Sequence, residues 1–208
     1  MLHQIVHRDF EQIPVDFSMS FLARRAPECY NECGKSTAWE VRAKMAVTIL
    51  ATVLIMAAYF LVLYGAVGFI QDKRFFGSAP KENLAAIPDK KERFPGAQVV
   101  GWIIEVIAVL MFLGAAVLGA GDGIKNHFSF FQFFGRFLAM LYCMEIYDIL
   151  FFDWFLLCHS NFFPHFYPEL KGVVGPQMFG YNKKAHAMHF AIDIPACAAI
   201  AGICTLFA

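Results

Sequence analysis

Four stretches of this chain are predominantly apolar, and each is long enough to cross a bilayer, whose hydrocarbon core takes about 20 apolar residues in helical form. Met45 to Ile70 has no charged side chain at all and ends at Asp72-Lys73-Arg74. Val99 to Ala120 is broken only by Glu105. Phe128 to Leu157 is rich in aromatics and holds Arg136, Glu145, Asp148 and Asp153, a pattern that predicts a long, tilted helix. Ala185 to Phe207 contains Pro195, which removes one helical hydrogen bond and predicts a kink. The expected fold is therefore all-α: a polytopic membrane protein built as a four-transmembrane-helix bundle. Its membrane domain would occupy 45–208, with spans at 45–70, 99–120, 128–157 and 185–207, after a polar arm at 1–44 that is interfacial or cytoplasmic.

The connections read as wet. Residues 71–98 carry Lys81, Lys90, Lys91 and Arg93 with Pro80, Pro88 and Pro95. Gly121-Asp122-Gly123 followed by Lys125-Asn126 predicts a short turn. Residues 158–184 mix Pro, Gly and aromatics, as an interfacial loop does. Within that loop, Phe162 to Pro168 either lies in the interface or caps a polar cavity.

Composition agrees with a lipid solvent: 59% of the 208 residues are hydrophobic and 16% charged, against about 25% charged in soluble domains, and the mean hydropathy is +0.53. Lys plus Arg equals Asp plus Glu at 17 each, which leaves no electrostatic case for a nucleic-acid partner. The six cysteines include no CxxC pair. Cys143, Cys197 and Cys204 lie in apolar runs and read as small hydrophobes, while Cys29 and Cys33 sit in the arm, a segment free to dock on another protein. The arm carries both signs of charge and lacks the apolar core of a cleavable signal peptide. Seven basic residues on the side of the termini face nine in the other loops, so the positive-inside rule gives no orientation. Cytoplasmic termini in a bacterial cell membrane are the expectation, by the common arrangement of small bacterial membrane proteins.

The informative positions are the ionisable groups inside the spans, each costing at least about 2.5 kcal/mol near the bilayer centre. Counted from the side of the 71–98 and 158–184 loops, with a rise of about 1.5 Å per residue, His189 lies about 6 Å deep, Glu105 about 10 Å, Asp193 about 12 Å, and Asp148 and Glu145 about 14–18 Å. His186, His189 and Asp193 fall within about 60° on one face of the last span. Glu145 and Asp148 share a face of the third, with Tyr142 beside them and Asp153 farther round, near the rim that holds His159. Arg136, on the opposite side of that helix, reads as a snorkelling anchor.

Carboxylates and imidazoles on facing helices suit a hard or borderline divalent metal. Haem fits poorly, because His186 and His189 share one helix and lack a facing axial histidine. The same groups also suit proton or cation movement, or plain hydrogen bonding between helices. As an enzyme, the protein would use Glu145, Asp148 and Asp193 in catalysis and Glu105, Asp153, His159, His186 and His189 as metal ligands, acting on a lipid-like substrate. The alternatives are a proton- or cation-coupled transporter, and a structural subunit of a membrane complex. The small face of span two, Gly114, Ala116, Gly119 and Ala120, offers a surface for a neighbouring helix or a second copy.

Glu145-x-x-Asp148, Phe152-Asp153-Trp154, Cys158-His159 and Lys184-Ala185-His186 together resemble a group of small uncharacterised bacterial membrane proteins with an Asp-Trp motif late in one helix. The resemblance covers the last 70 residues or so; it implies a four-helix membrane protein and brings no activity with it. Quinone-linked disulfide oxidases differ in having loop cysteine pairs, and the eicosanoid and glutathione membrane enzymes are shorter, with differently placed arginines.

Overall fold

The computed structural model describes residues 41–72, 87 and 91–208. The chain divides into two units, Met1–Met45 and Ala46–Ala208. The N-terminal arm, with Cys29, Cys33 and Trp39, lies outside the described residues.

All regular structure among the described residues is helical. Helix α1 runs over Val41–Ile70 and closes as a π-helix at Ala66–Ile70. Helix α2 is Ala97–Lys125. Helix α3 is Phe130–Tyr147, prolonged without a break by a π-helical segment, Asp148–Leu157. A short α4, Phe162–Phe166, precedes the last helix, α5, at Lys183–Thr205.

Three of these, α1, α2 and α5, are long and apolar enough to cross a membrane. The expected third span is a continuous helix but not one of the three, because Arg136, Glu145, Asp148 and Asp153 dilute its apolar character. Glycine does not end α2 where the sequence predicts a turn at 121–125: the helix continues to Lys125, and the chain turns at Asn126 and at His127, which has a φ of 50°. A helical glycine costs only about 1 kcal/mol, and Gly123 lets α2 lie directly against the ring of Phe133, which a Cβ there would strike. Helix α5 likewise passes Pro195 unbroken.

The interior shows why these helices approach closely. Ala51 and Ile55 of α1, Ala115 of α2, Phe133, Phe137 and Met140 of α3, and Cys197, Ala201 and Cys204 of α5 form one buried cluster. Small residues meet large aromatic ones, the pattern by which helices associate in lipid without a hydrophobic drive. Gly119 of α2 belongs to this inner face, against Phe137 and Met140, whereas Gly114 points to open space. Val106, Leu110, Leu113 and Val117 of α2 face outward, as lipid-facing residues do.

A second cluster joins Val67 of α1, Ile87, Tyr167 and Leu170, with Phe162, Phe163 and Phe166 packed on it. The aromatic loop segment therefore folds over the end of α1. Tyr167 is fully buried there, and burial, followed by the charges of Glu169 and Asp72, holds its phenol above the usual range and protonated.

Arg136 does not snorkel. It is 5% exposed, its guanidinium donates to the Gly119 carbonyl at 2.7 Å and forms an ion pair with Asp122 at 2.7 Å, and it lies 4.3 Å from the centre of the Phe128 ring. The partner is Asp122, near the C-terminal end of α2, so the charge is paired within the protein.

Candidate metal centre

Helices α3 and α5 pack against one another, and Tyr142 of α3 pins them by donating to the Phe190 carbonyl at 3.1 Å. Their polar faces meet one to two turns nearer the loops. Glu145 is the centre of the contact: its Oε1 lies 3.0 Å from His189 Nδ1 and its Oε2 3.2 Å from His186 Nδ1. Asp148 Oδ2 stands 3.7 Å from the same His186 nitrogen. On the other side of the ring, His186 Nε2 lies 2.9 Å from Asp153 Oδ2, and Asp153 Oδ1 receives a hydrogen bond from Asn182 at 3.4 Å.

The π-helical segment explains why Asp153 reaches this face. In an α-helix residues five apart are about 140° apart, so the sequence places Asp153 away from Asp148. The i→i+5 repeat of a π-helix stacks such residues instead, and Asp148 and Asp153 both turn toward His186.

Glu145, His186 and His189 each offer a ligand atom within 4.8 Å of the others. The two shortest separations, 3.0 Å and 3.2 Å, run from the two histidines to different oxygens of the one carboxylate, which therefore bridges them. Two imidazoles and one carboxylate form a three-ligand set that leaves a position open for water or substrate. The glutamate and His186 side chains are 6% and 9% exposed, while His189 is 48% exposed and opens the site to its surroundings.

His186 is over-supplied with acceptors. A neutral imidazole has a single N–H, yet carboxylate oxygens stand at both ring nitrogens. If Asp153 takes the Nε2 proton, the Nδ1 lone pair is left facing Glu145 and Asp148, the geometry in which a carboxylate orients a metal-binding histidine. Asp153, expected as a ligand, is thus placed behind His186.

The remaining expected site residues divide. Asp193 lies one turn beyond His189, within electrostatic reach of Glu145 and His189, and its buried Oδ2 has no hydrogen-bond partner among the described residues. Glu105 is buried elsewhere, against Gly65 of α1, where a Cβ would stand 2.9 Å from its Oε1. His159 is exposed, contacts the Trp154 carbonyl at 2.6 Å through Nδ1 and packs beside the Trp154 ring. Tyr59 of α1, which sequence reasoning missed, packs edge-on to Phe152 at 5.1 Å and lies within reach of the Asp148, Glu145 and Asp153 charges. Only the helix order brings it there, since the polar edge of a tyrosine in an apolar run carries no distinctive sequence signal.

No protein-family model, curated protein or solved structure matches the chain.

Proposed function

We propose that this is a four-span membrane protein carrying a divalent metal on Glu145, His186 and His189, and that the metal serves a reaction on a lipid-like substrate. The carrying observation is the convergence of acidic groups: buried Glu145 and half-buried Asp148, Asp153 and Asp193 gather around two histidines, and among the described residues no Lys or Arg forms an ion pair with them. Uncompensated charge in a low-dielectric interior is costly, and a divalent cation supplies the missing counter-charge. Zinc and ferrous iron both accept two imidazoles and a carboxylate. A bound ion would polarise an ester or phosphoryl oxygen or activate a water. Asp148 and Asp193 flank the ligands as acid or base, and the exposed edge at His189 admits a substrate from the membrane side.

The fourth crossing is α3. Its 18 α-helical residues alone rise about 27 Å, and its charges have partners on α2 and α5, which lowers their cost in lipid.

The test is a titration of purified protein with Co²⁺, whose visible spectrum reports four-coordinate nitrogen and oxygen ligation. We expect saturation near one ion per chain and loss of the spectrum in Glu145→Gln. Absence of a protein-dependent spectrum would remove the metal reading. A second reading, proton-coupled transport, is favoured by the unbroken line of contacts from His189 through Glu145 and His186 to Asp153. It would show as proton flux into vesicles that Asp153→Asn abolishes.

A further inference from the structure

A separate cleft of about 310 Å³ lies at the loop ends of α1 and α2, lined by Gln71, Lys91, Arg93, His165 and Phe166. Gln71 caps the last turn of α1 with a left-handed backbone, φ 54°, and donates its N–H to the Ala66 carbonyl at 2.8 Å. Lys91 and Arg93 stand a few residues before α2 begins at Ala97. The cleft is therefore set where two spans leave the hydrocarbon, at the level of lipid headgroups.

Its chemistry has one sign. Two fixed cations, an imidazole and a side-chain amide line it, and no acidic side chain does so among the described residues. Of the described carboxylates next in sequence to lining residues, Glu92 accepts the Gly96 N–H at 3.1 Å, and the charge of Asp72 bears on Tyr167. Arg93 is held in place, its guanidinium 5.3 Å from the centre of the Phe166 ring, and a stacked guanidinium keeps its N–H edge free for an anion. Phe166 is itself fixed by edge-on contacts with Tyr64 at 6.2 Å and Phe162 at 5.3 Å. An arginine set over an aromatic ring, a lysine and that apolar ring match a phosphate group attached to something apolar.

We propose that this cleft binds the phosphate of an anionic phospholipid headgroup. The site is independent of the Glu145 centre, which lies on other helices. The test uses full-length protein in detergent, with bound ligand followed by native mass spectrometry. Short-chain phosphatidylglycerol, phosphatidylcholine and inorganic phosphate are titrated separately into wild type, a Lys91→Gln/Arg93→Gln variant and a Lys125→Gln control.

Wild type and control are expected to bind phosphatidylglycerol in preference to phosphatidylcholine, with roughly 30-fold weaker binding in the double variant, the loss attached to two basic groups at a membrane surface. Equal binding of the two lipids, or equal binding by wild type and double variant, overturns the proposal. Inorganic phosphate that binds as tightly as the lipid and depends on the same two residues overturns the lipid assignment in favour of a free phosphate. Lys91 and Arg93 are both exposed, so their replacement leaves the core intact, which circular dichroism of the variant verifies.

Discussion

His186 links Glu145 to Asp153 in the polar contact between α3 and α5, because its two ring nitrogens meet different carboxylates. If Asp153 sets the tautomer and Glu145 shares the metal, the two residues are not interchangeable. Asp153→Ala should weaken divalent-metal affinity by roughly 10–100-fold, and Asp153→Asn, which keeps an acceptor for Nε2–H, should weaken it less; competition with a calibrated chelator measures both. Arg136 belongs to a different account. Removing it in Arg136→Ala leaves Asp122 without its counter-ion, and the loss should fall toward the lower end of roughly 3–5 kcal/mol, since Asp122 keeps 21% of its side-chain surface exposed. Thermal unfolding in detergent should show that loss with metal content unchanged.

At the scale of elements, the periodicity of the chain carried a good deal of information, and its failures have physical reasons. Uncharged length located the helices to within a few residues, and the shared faces of Glu145 with Asp148 and of His186 with His189 followed from a 3.6-residue repeat. Asp153 escaped that reasoning because the helix changes to a π repeat at Asp148. Glu105 was misgrouped for another reason: sequence gives depth along a membrane normal, but which neighbour a helix face meets depends on helix order, and Glu105 faces α1. Close approach between α1 and α2 rests on Gly101, where a Cβ would stand 3.1 Å from the Ile70 backbone nitrogen and 3.0 Å from Phe69 Cβ. Gly101→Val should therefore separate these helices and cost about 1–3 kcal/mol, seen as a lowered unfolding temperature, whereas Gly114→Val, in open space, should cost little.

For the whole molecule, three crossings and four differ in whether α3 enters the membrane. The Asp122–Arg136 pair lies toward one end of α3 and the Glu145 cluster toward the other, so the ionisable groups near both ends of this helix face partners on neighbouring helices. If α3 crosses, the turn after α2 and the loop before α5 lie on opposite sides of the membrane. In a background without native cysteines, Lys125→Cys and Lys171→Cys should then react with a membrane-impermeant thiol reagent from opposite faces; labelling from the same face would leave three crossings. The two polar regions also divide the labour proposed for the protein, with the centre between α3 and α5 for chemistry and the basic cleft at the ends of α1 and α2 for lipid contact.

The central claim is that the converging carboxylates and histidines hold a metal. Elemental analysis of detergent-purified wild type beside a His186→Ala/His189→Ala variant tests it most directly. Near-stoichiometric zinc or iron in the wild type, lost in the variant while helical content and elution volume are retained, is the result this account predicts; wild-type protein that carries no metal and acquires none on incubation with either ion would contradict it.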